Sequence, residues 1–282
     1  MKFIKIKSYA KVNLSLNILG KLTSKLHKIE SIVSFLDLHD EIYLKIIKSC
    51  DHQISFYGSF SKGISKKNTI SKLLYILDEK KLLNNKKFKI RIIKNIPHQS
   101  GMGGGSMNAA SLISFFISKK IIKIKKNELL KLTKLIGSDV ILGINPINTI
   151  LCSNGKIKKY REKINFYTLV VKPNFGCSTK YIFSKVKSFS NPQFNFPKKA
   201  MFKIEYLKKL SNNLEVISFK KYPKLKRIKY FLSNIPNIMF VRMSGSGSSI
   251  VAYFHSKKAC DIALKEFKRK FTSLWCISSK TI

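Results

Sequence analysis

Acidic residues are scarce in this sequence. Asp and Glu number 14 against 55 Lys plus Arg, which gives a formal net charge of +41. Such a charge first suggests nucleic-acid binding, because cations that neutralise phosphates release condensed counterions. The positive residues, however, are almost all lysine and are spread along the whole chain. Together with abundant Ile and Asn, which have A- and T-rich codons, this dispersal indicates compositional bias. The charge still concentrates anionic substrates.

Long apolar runs are also missing. The stretch 112–117 is typical of the longest, far below the about 20 residues that cross a bilayer. Residues 1–7 interleave Lys with apolar residues and lack the apolar centre of a signal peptide. The five cysteines are scattered, and none are two or three residues apart, which argues against a disulfide framework or a zinc site. We therefore expect a cytoplasmic protein with no membrane association and no protein-bound metal cluster.

The order of strand-like and helical patterns indicates an α+β fold. Alternating apolar and polar residues predict strands at 2–7, 12–18, 31–36, 41–47, 53–57, 88–95, 149–152, 157–160, 165–171, 238–242, 249–254 and 273–278. Helical spacing follows Asn68, the glycine-rich turn and Asn127, and recurs at 201–219, 223–233 and 257–270. Residues 188–199 predict a loop. We place a domain boundary loosely near 150–165, which gives domains 1–160 and 161–282.

Four glycines in five positions form the strongest local feature. Ordering them is costly, so we expect them to serve a purpose. A strand enters this turn and a helix leaves it, which creates an anion site from backbone N–H groups and a helix N-terminus. The alternative is a tight strand-to-helix turn with no ligand. We predict that this segment binds an anion through Pro97, His98, Gln99, Ser100, Gly101, Met102, Gly103, Gly104, Gly105, Ser106 and Met107.

Two further clusters are ambiguous when each is taken alone. Lys11 lies at the start of a predicted strand, and in a chain this rich in lysine the simple alternative is a solvated side chain. Asp139 follows Gly137 at the end of a predicted helix, and its simple alternative is a helix cap.

In this order the clusters resemble the three motifs of the GHMP kinases, and most closely those of the diphosphocytidyl-methylerythritol kinases. The glycine loop is similar to Pro-x-x-x-Gly-Leu-Gly-Gly-Gly-Ser-Ser-x-Ala-Ala, with Met102 for Leu and Met107 for the second Ser. Residues 243–248 resemble the third motif. The segments 10–14, 35–42, 137–140 and 212–215 fit further family patterns, so the resemblance covers nearly the whole chain.

The resemblance implies a ribosomal-S5-like N-terminal domain and a ferredoxin-like C-terminal domain. It also implies a phosphotransferase that uses ATP and Mg²⁺ to phosphorylate the 2-hydroxyl of diphosphocytidyl-methylerythritol, a step of the non-mevalonate route to isoprenoids. Catalysis would rest on Asp139 as proton acceptor or orienting group and on Lys11 beside it. Asn13, His27 and Phe183 would bind the substrate, which is a small molecule.

Some positions depart from the family pattern. Lys25, Leu26 and His27 replace Gly-Tyr-His, so Leu26 offers no π face to the cytosine. Ile141 replaces a Pro, and Asn213 replaces an Asp. The alternatives are another GHMP kinase, such as homoserine or mevalonate kinase, a decayed paralogue, or a basic nucleic-acid-binding protein. We expect a monomer or weak dimer with no specific nucleic-acid partner.

Overall fold

A computed structural model of the chain describes residues 2–23, 26–162 and 164–282. The fold is α+β, and its contacts divide the chain into two compact units. The first unit holds the chain as far as Ala10, Leu38–His98 and Gly103–Pro146, and the second holds Lys11–Asp37, Gln99–Met102 and Ile147–Ile282. Each unit is built from separate stretches of chain, so the units do not correspond to one cut in the sequence. The domain boundary near residue 160 stays a prediction.

The elements follow one another along the chain as the sequence patterns indicate. The strands are β1 (Ile4–Lys21), β2 (His27–Ile47), β3 (Gln53–Tyr57), β4 (Lys87–Ile93), β5 (Asn148–Leu151), β6 (Ile157–Tyr160), β7 (Tyr167–Lys172), β8 (Phe240–Met243), β9 (Ile250–Phe254) and β10 (Trp275–Lys280). The helices are α1 (Thr69–Glu79), α2 (Gly104–Ser118), α3 (Lys126–Ile136), α4 (Val140–Gly143), α5 (Thr179–Ser184), α6 (Ile204–Lys209), α7 (Leu214–Lys221), α8 (Pro223–Ser233) and α9 (Lys257–Lys270). In the described ranges, no helix is long and apolar enough to cross a membrane.

The first unit packs helices on a small sheet. The latter part of β2 pairs antiparallel with β4, and β3 pairs parallel with β4. Helix α1 begins where expected, because the Asn68 side chain accepts the N–H groups of Ile70 and Ser71 and forms a capping box. Its apolar face and that of α2 bury against Ile90 and Phe88, which builds the core of this unit.

The second unit contains an antiparallel sheet in the order β10-β7-β9-β8. Its apolar side packs against α8 and α9 in a core that includes Leu169, Val241, Phe254 and Phe267. The early part of β2 pairs with β5, and β5 pairs with β6. The second unit also holds β1 from Lys11 onward and His27, together with the 243–248 turn.

Residues 201–219 are the clearest departure from the sequence patterns. In place of continuous helix, the chain forms a 3₁₀ turn at Lys199–Phe202 and then the separate helices α6 and α7. Between them the chain pairs with β1: the Leu16 N–H donates to Ser211 O at 3.0 Å, and the Asn213 N–H donates to Leu16 O at 2.8 Å. This long-range backbone pairing overrides the local helical pattern.

Two other differences are smaller. The predicted strands 2–7 and 12–18 form the single strand β1, and the short helix α5 was not predicted. Asn213, which replaces a family Asp, has a structural role: its Oδ1 accepts the Ile18 N–H and the Ser190 hydroxyl, each at 2.8 Å. Residues 188–198 contain no helix or strand, as expected.

Candidate active site

The glycine loop leads into the N-terminus of α2, which no side chain caps. Gly103, the N-cap of α2, has φ +68° and no side chain to cap the helix. The Met107 N–H bonds to Gly103 O at 2.8 Å, while the N–H groups of the preceding helical residues point out of the first turn. Gly105 at this turn is exposed. The terminus can therefore accept an external anion such as a phosphate.

The other end of the loop is held by the 243–248 turn, within the second unit. Backbone N–H groups of Ser248 and Ser249 donate to Gln99 O at 3.3 Å and to Ser100 O at 3.0 Å. The Ser244 hydroxyl donates to Gly101 O at 2.9 Å. At Gly101, φ is +75°, and a Cβ would lie 2.0 Å from Ser244 O. Glycine is required here both by φ and by the close approach of the two backbones.

Buried polar side chains fix the 243–248 turn in place. The Asn212 amide donates to Met243 O at 2.8 Å and to Gly245 O at 2.7 Å. The Glu215 carboxylate accepts the Met243 N–H at 2.8 Å and pairs with Lys229. The resemblance included Asn212 and Glu215 but assigned them no role. Asn212 and Glu215 hold the 243–248 turn in place, and this turn holds residues 99–101 of the glycine loop.

Lys11 is buried, so the alternative of a solvated lysine is wrong. Its side chain is only 5% exposed, and its backbone N–H donates to Met102 O at 3.1 Å. The ammonium donates to Asn13 Oδ1 at 2.8 Å, and the Asn13 amide donates to Ser31 Oγ at 2.8 Å. The second unit therefore brings Lys11 and Asn13 to the loop residue Met102. Asn13 orients the Lys11 ammonium; a contact of Asn13 with substrate stays a prediction.

Asp139 is the N-cap residue of α4, but its side chain makes no capping hydrogen bond, so capping does not account for its carboxylate. Helix α4 packs closely on α2, since a Cβ on Gly143 would lie 2.7 Å from the Ala110 Cβ and 2.8 Å from the Met107 Sδ. At the other side of Asp139, a Cβ on Gly137 would lie 3.6 Å from the Ser106 hydroxyl. The first unit thus places the Asp139 loop beside the first turns of α2. Lys11 belongs to the second unit, and its pairing with Asp139 stays a prediction.

His27 and Phe183, both predicted to bind substrate, lie together in the second unit. Their ring centroids are 5.2 Å apart with a tilt of 46°. The His27 Nε2 is buried and has no hydrogen-bond partner among the described residues. Burial, with a smaller effect of Lys21, lowers the pKa of His27 below 6.5. The imidazole is therefore neutral at neutral pH and can exchange neutral hydrogen bonds with a base edge.

Leu26 stands where the family pattern has a tyrosine. Leu26 is 63% exposed, so its side chain covers little of the neighbouring surface. Lys25, aligned with the family glycine, lies outside the described residues. The ring of Phe183, beside His27, is an aromatic face that can stack on a base.

The residues present fit a Mg²⁺ ion that is carried largely by phosphate oxygens. In the ranges that the structure describes, no group of three or more His, Cys, Asp or Glu side chains could hold a metal. Mg²⁺ commonly binds through one or two protein oxygens together with substrate phosphates and water. The Ser106 hydroxyl is a protein oxygen in the first turn of α2 that suits this arrangement.

The fold is shared with solved structures of small-molecule kinases. A crystal structure of 4-(cytidine 5'-diphospho)-2C-methyl-D-erythritol kinase matches with a TM-score of 0.77 at 20% identity, covering 98% of this chain and 99% of that one. Homoserine kinase from Cytophaga hutchinsonii ATCC 33406 matches with a TM-score of 0.72 at 15% identity, covering 100% and 95%. Residues 68–155 match the GHMP kinases N terminal domain. The chain therefore has the fold of the GHMP kinases, a class that uses ATP.

Sequence identity narrows this class to one family. The chain is 65% identical to 4-diphosphocytidyl-2-C-methyl-D-erythritol kinase from Pelagibacter ubique (strain HTCC1062) over 282 residues, which is 100% of both chains. It is 30% identical to the kinase of the same name from Clostridium kluyveri (strain NBRC 12016) over 283 residues, covering 96% of this chain and 98% of that one. The chain belongs to the 4-diphosphocytidyl-2-C-methyl-D-erythritol kinase family. The family and fold expected from the motifs are confirmed.

Proposed function

We propose that this chain transfers the γ-phosphoryl group of ATP to the 2-hydroxyl of 4-diphosphocytidyl-2-C-methyl-D-erythritol, in the non-mevalonate route to isoprenoid precursors. The observation that carries the proposal is the 65% identity to a kinase of that name over the full length of both chains. The His27–Phe183 pair supports the cytidine specificity, because it joins an aromatic face to a buried ring nitrogen that has no partner in the described part of the chain.

The loop geometry supports the proposed binding of ATP. Phosphoryl transfer depends on aligned reactants and on neutralised charge rather than on covalent help from the protein. The first turn of α2 donates backbone N–H groups to the phosphates, and the 243–248 turn keeps the loop in shape. Mg²⁺, when bound, neutralises charge on the phosphate oxygens. The Ser106 hydroxyl, at the start of α2, is the side chain that would hold it.

Asp139 and Lys11 act on the attacking hydroxyl. A carboxylate is a weak base for an alcohol, so Asp139 orients the hydroxyl and accepts its proton late in the transfer. Lys11 offsets the negative charge that develops on the attacking oxygen. Asn13 accepts a hydrogen bond from the Lys11 ammonium at 2.8 Å, which fixes where this charge is presented.

Substitution of the two groups tests these roles. Lys11→Ala and Asp139→Asn should each abolish turnover, while thermal unfolding and ATP binding stay close to the unaltered protein. Lys5→Ala and Asp51→Asn are matched controls, because Lys5 lies on the same strand as Lys11 and both control residues are exposed. Near-normal rates in both Lys11→Ala and Asp139→Asn would remove these residues from the mechanism.

We also propose that the enzyme works in the cytoplasm as a monomer or weak dimer, with no nucleic-acid partner. All five cysteines are free, which suits a reducing compartment. Lysines lie in strands, helices and loops of both units rather than on one element. Size-exclusion chromatography and a salt titration of DNA and RNA binding test these points; tight, salt-sensitive binding would contradict the last one.

A further inference from the structure

A buried ion pair stands directly before the glycine loop. Asp40 is 0% exposed and Lys94 is 3% exposed, and the Lys94 ammonium donates to Asp40 Oδ2. Both residues belong to the first unit. Asp40 falls within one of the segments that resemble the family, but that resemblance gives it no role. Burying two charges is expensive, so the pair calls for an explanation beyond stability.

Asp40 organises the segment that enters the loop. Its Oδ1 accepts the backbone N–H groups of Asn95 and Ile96, each at 2.8 Å. The Asn95 amide donates to His39 O at 2.9 Å, which ties the same segment again to β2. One carboxylate therefore holds three consecutive residues, 94–96, immediately before Pro97. The Asp40 carboxylate therefore fixes the position of the backbone at which the glycine loop begins.

Lys94 connects this segment to α2, the helix proposed to bind phosphate. A Cβ built on Gly104 would lie 3.2 Å from Lys94 Nζ and 3.1 Å from Ile96 Cγ2. The ammonium thus packs against the first helical residue of α2. Because the Asp40 carboxylate neutralises this ammonium, the pair acts on the start of α2 through packing and position. The Asp40 carboxylate keeps that cation in place without exposing it to water.

We propose that Asp40 and Lys94 are positioning residues for the ATP phosphates. Asp40 sets the backbone of residues 94–96, and Lys94 sets the position of Gly104 at the start of α2. Neither needs to touch the nucleotide, since both act through the loop. The inference rests on the proposed function insofar as the glycine loop is the ATP site.

The test removes both charges at once, in an Asp40→Asn/Lys94→Met double variant. Replacing a buried pair in this way avoids leaving one charge unpaired and is often neutral for stability. Calorimetry should show the Kd for a non-hydrolysable ATP analogue raised about tenfold, because the backbone N–H groups at the start of α2 are no longer held in place. The Kd for the cytidyl substrate should stay unchanged. A purely structural role would lower the melting temperature without this selective change.

Glu41→Gln is the matched control. Glu41 is the next residue along β2, and its partner Lys5 is exposed, so removing this pair should leave nucleotide binding unchanged. An ATP-analogue Kd in the double variant equal to that of Glu41→Gln would overturn the proposal. If the double variant does not fold, Asp40→Asn/Lys94→Gln decides, because Asn keeps Oδ1 for the two backbone N–H groups and neither charge is left unpaired. A raised Kd supports the proposal, and an unchanged one refutes it.

The binding measurement keeps the inference apart from the proposed function. If the unaltered protein binds the ATP analogue but phosphorylates no cytidyl substrate, the reaction assignment fails while the role of Asp40 and Lys94 is still measured. If turnover is normal and the double variant binds the analogue normally, only the positioning role fails.

Discussion

Gly101→Ala should disable the glycine loop through contact with a neighbouring backbone. Two effects add at this position. The φ of +75° is unfavourable for any residue with a Cβ, which costs about 1 kcal/mol. The new methyl group would also lie 2.0 Å from Ser244 O and 2.9 Å from the Ser244 carbonyl carbon. Because these are backbone atoms, the 243–248 turn must move, at a further cost of about 2 kcal/mol.

Gly155→Ala separates the two effects. Gly155 has φ +78°, and a Cβ there would meet nothing within 4 Å. Urea unfolding should give a loss of about 1 kcal/mol for Gly155→Ala and about 3 kcal/mol for Gly101→Ala. Steady-state kinetics should show a raised KM for ATP in Gly101→Ala alone, since the shifted loop no longer presents its N–H groups correctly. Equal stability and equal KM in the two variants would refute the close approach of Gly101 to Ser244.

Three other substitutions follow from the geometry. Leu26→Tyr should lower the KM for the cytidyl substrate by restoring an aromatic face, and a KM that stays the same or rises would show that the position does not contact the base. Gly176→Ala should raise the KM for ATP, because a Cβ there would lie 2.2 Å from the Gln99 Oε1, whereas Gly20→Ala, with nothing within 4 Å, should not. His52 Nδ1 accepts a backbone N–H at 3.0 Å, and burial lowers the pKa of His52 below 6.5. Its folded state therefore binds a proton less readily than the unfolded chain, so the free energy of unfolding should fall as pH drops below 6.5, and less so in His52→Asn; identical pH dependence in the two proteins would contradict this.

Local patterns predicted the elements whose stability is local. Helix α1 was predictable because Asn68 and its apolar face of Ile70, Leu73, Leu74 and Leu77 lie within ten residues. The break between α6 and α7 was not, because it depends on backbone pairing with Leu16, far away in sequence. Hydrophobic spacing reports the buried face of a helix, but it carries no information about a distant strand that competes for the same N–H groups.

The candidate site divides in the same way. The glycine loop was predictable from the sequence, because four glycines in five positions are costly to order and therefore indicate a function. Lys11 does not: its burial depends on partners contributed by Asn13 and Met102, and in a lysine-rich chain only the resemblance distinguished it. The Asp40–Lys94 pair joins residues 54 positions apart, and the one signal for it was the scarcity of acidic residues.

The measurement that decides the reaction is ATP consumption by the purified protein with Mg²⁺ and 4-diphosphocytidyl-2-C-methyl-D-erythritol, run beside homoserine and mevalonate. Asp139→Asn serves as the inactive control. We predict turnover with the cytidyl substrate alone and loss of that turnover in the variant. Phosphorylation of homoserine or mevalonate instead, or no phosphorylation of the cytidyl substrate by protein that binds ATP, would contradict the proposed function.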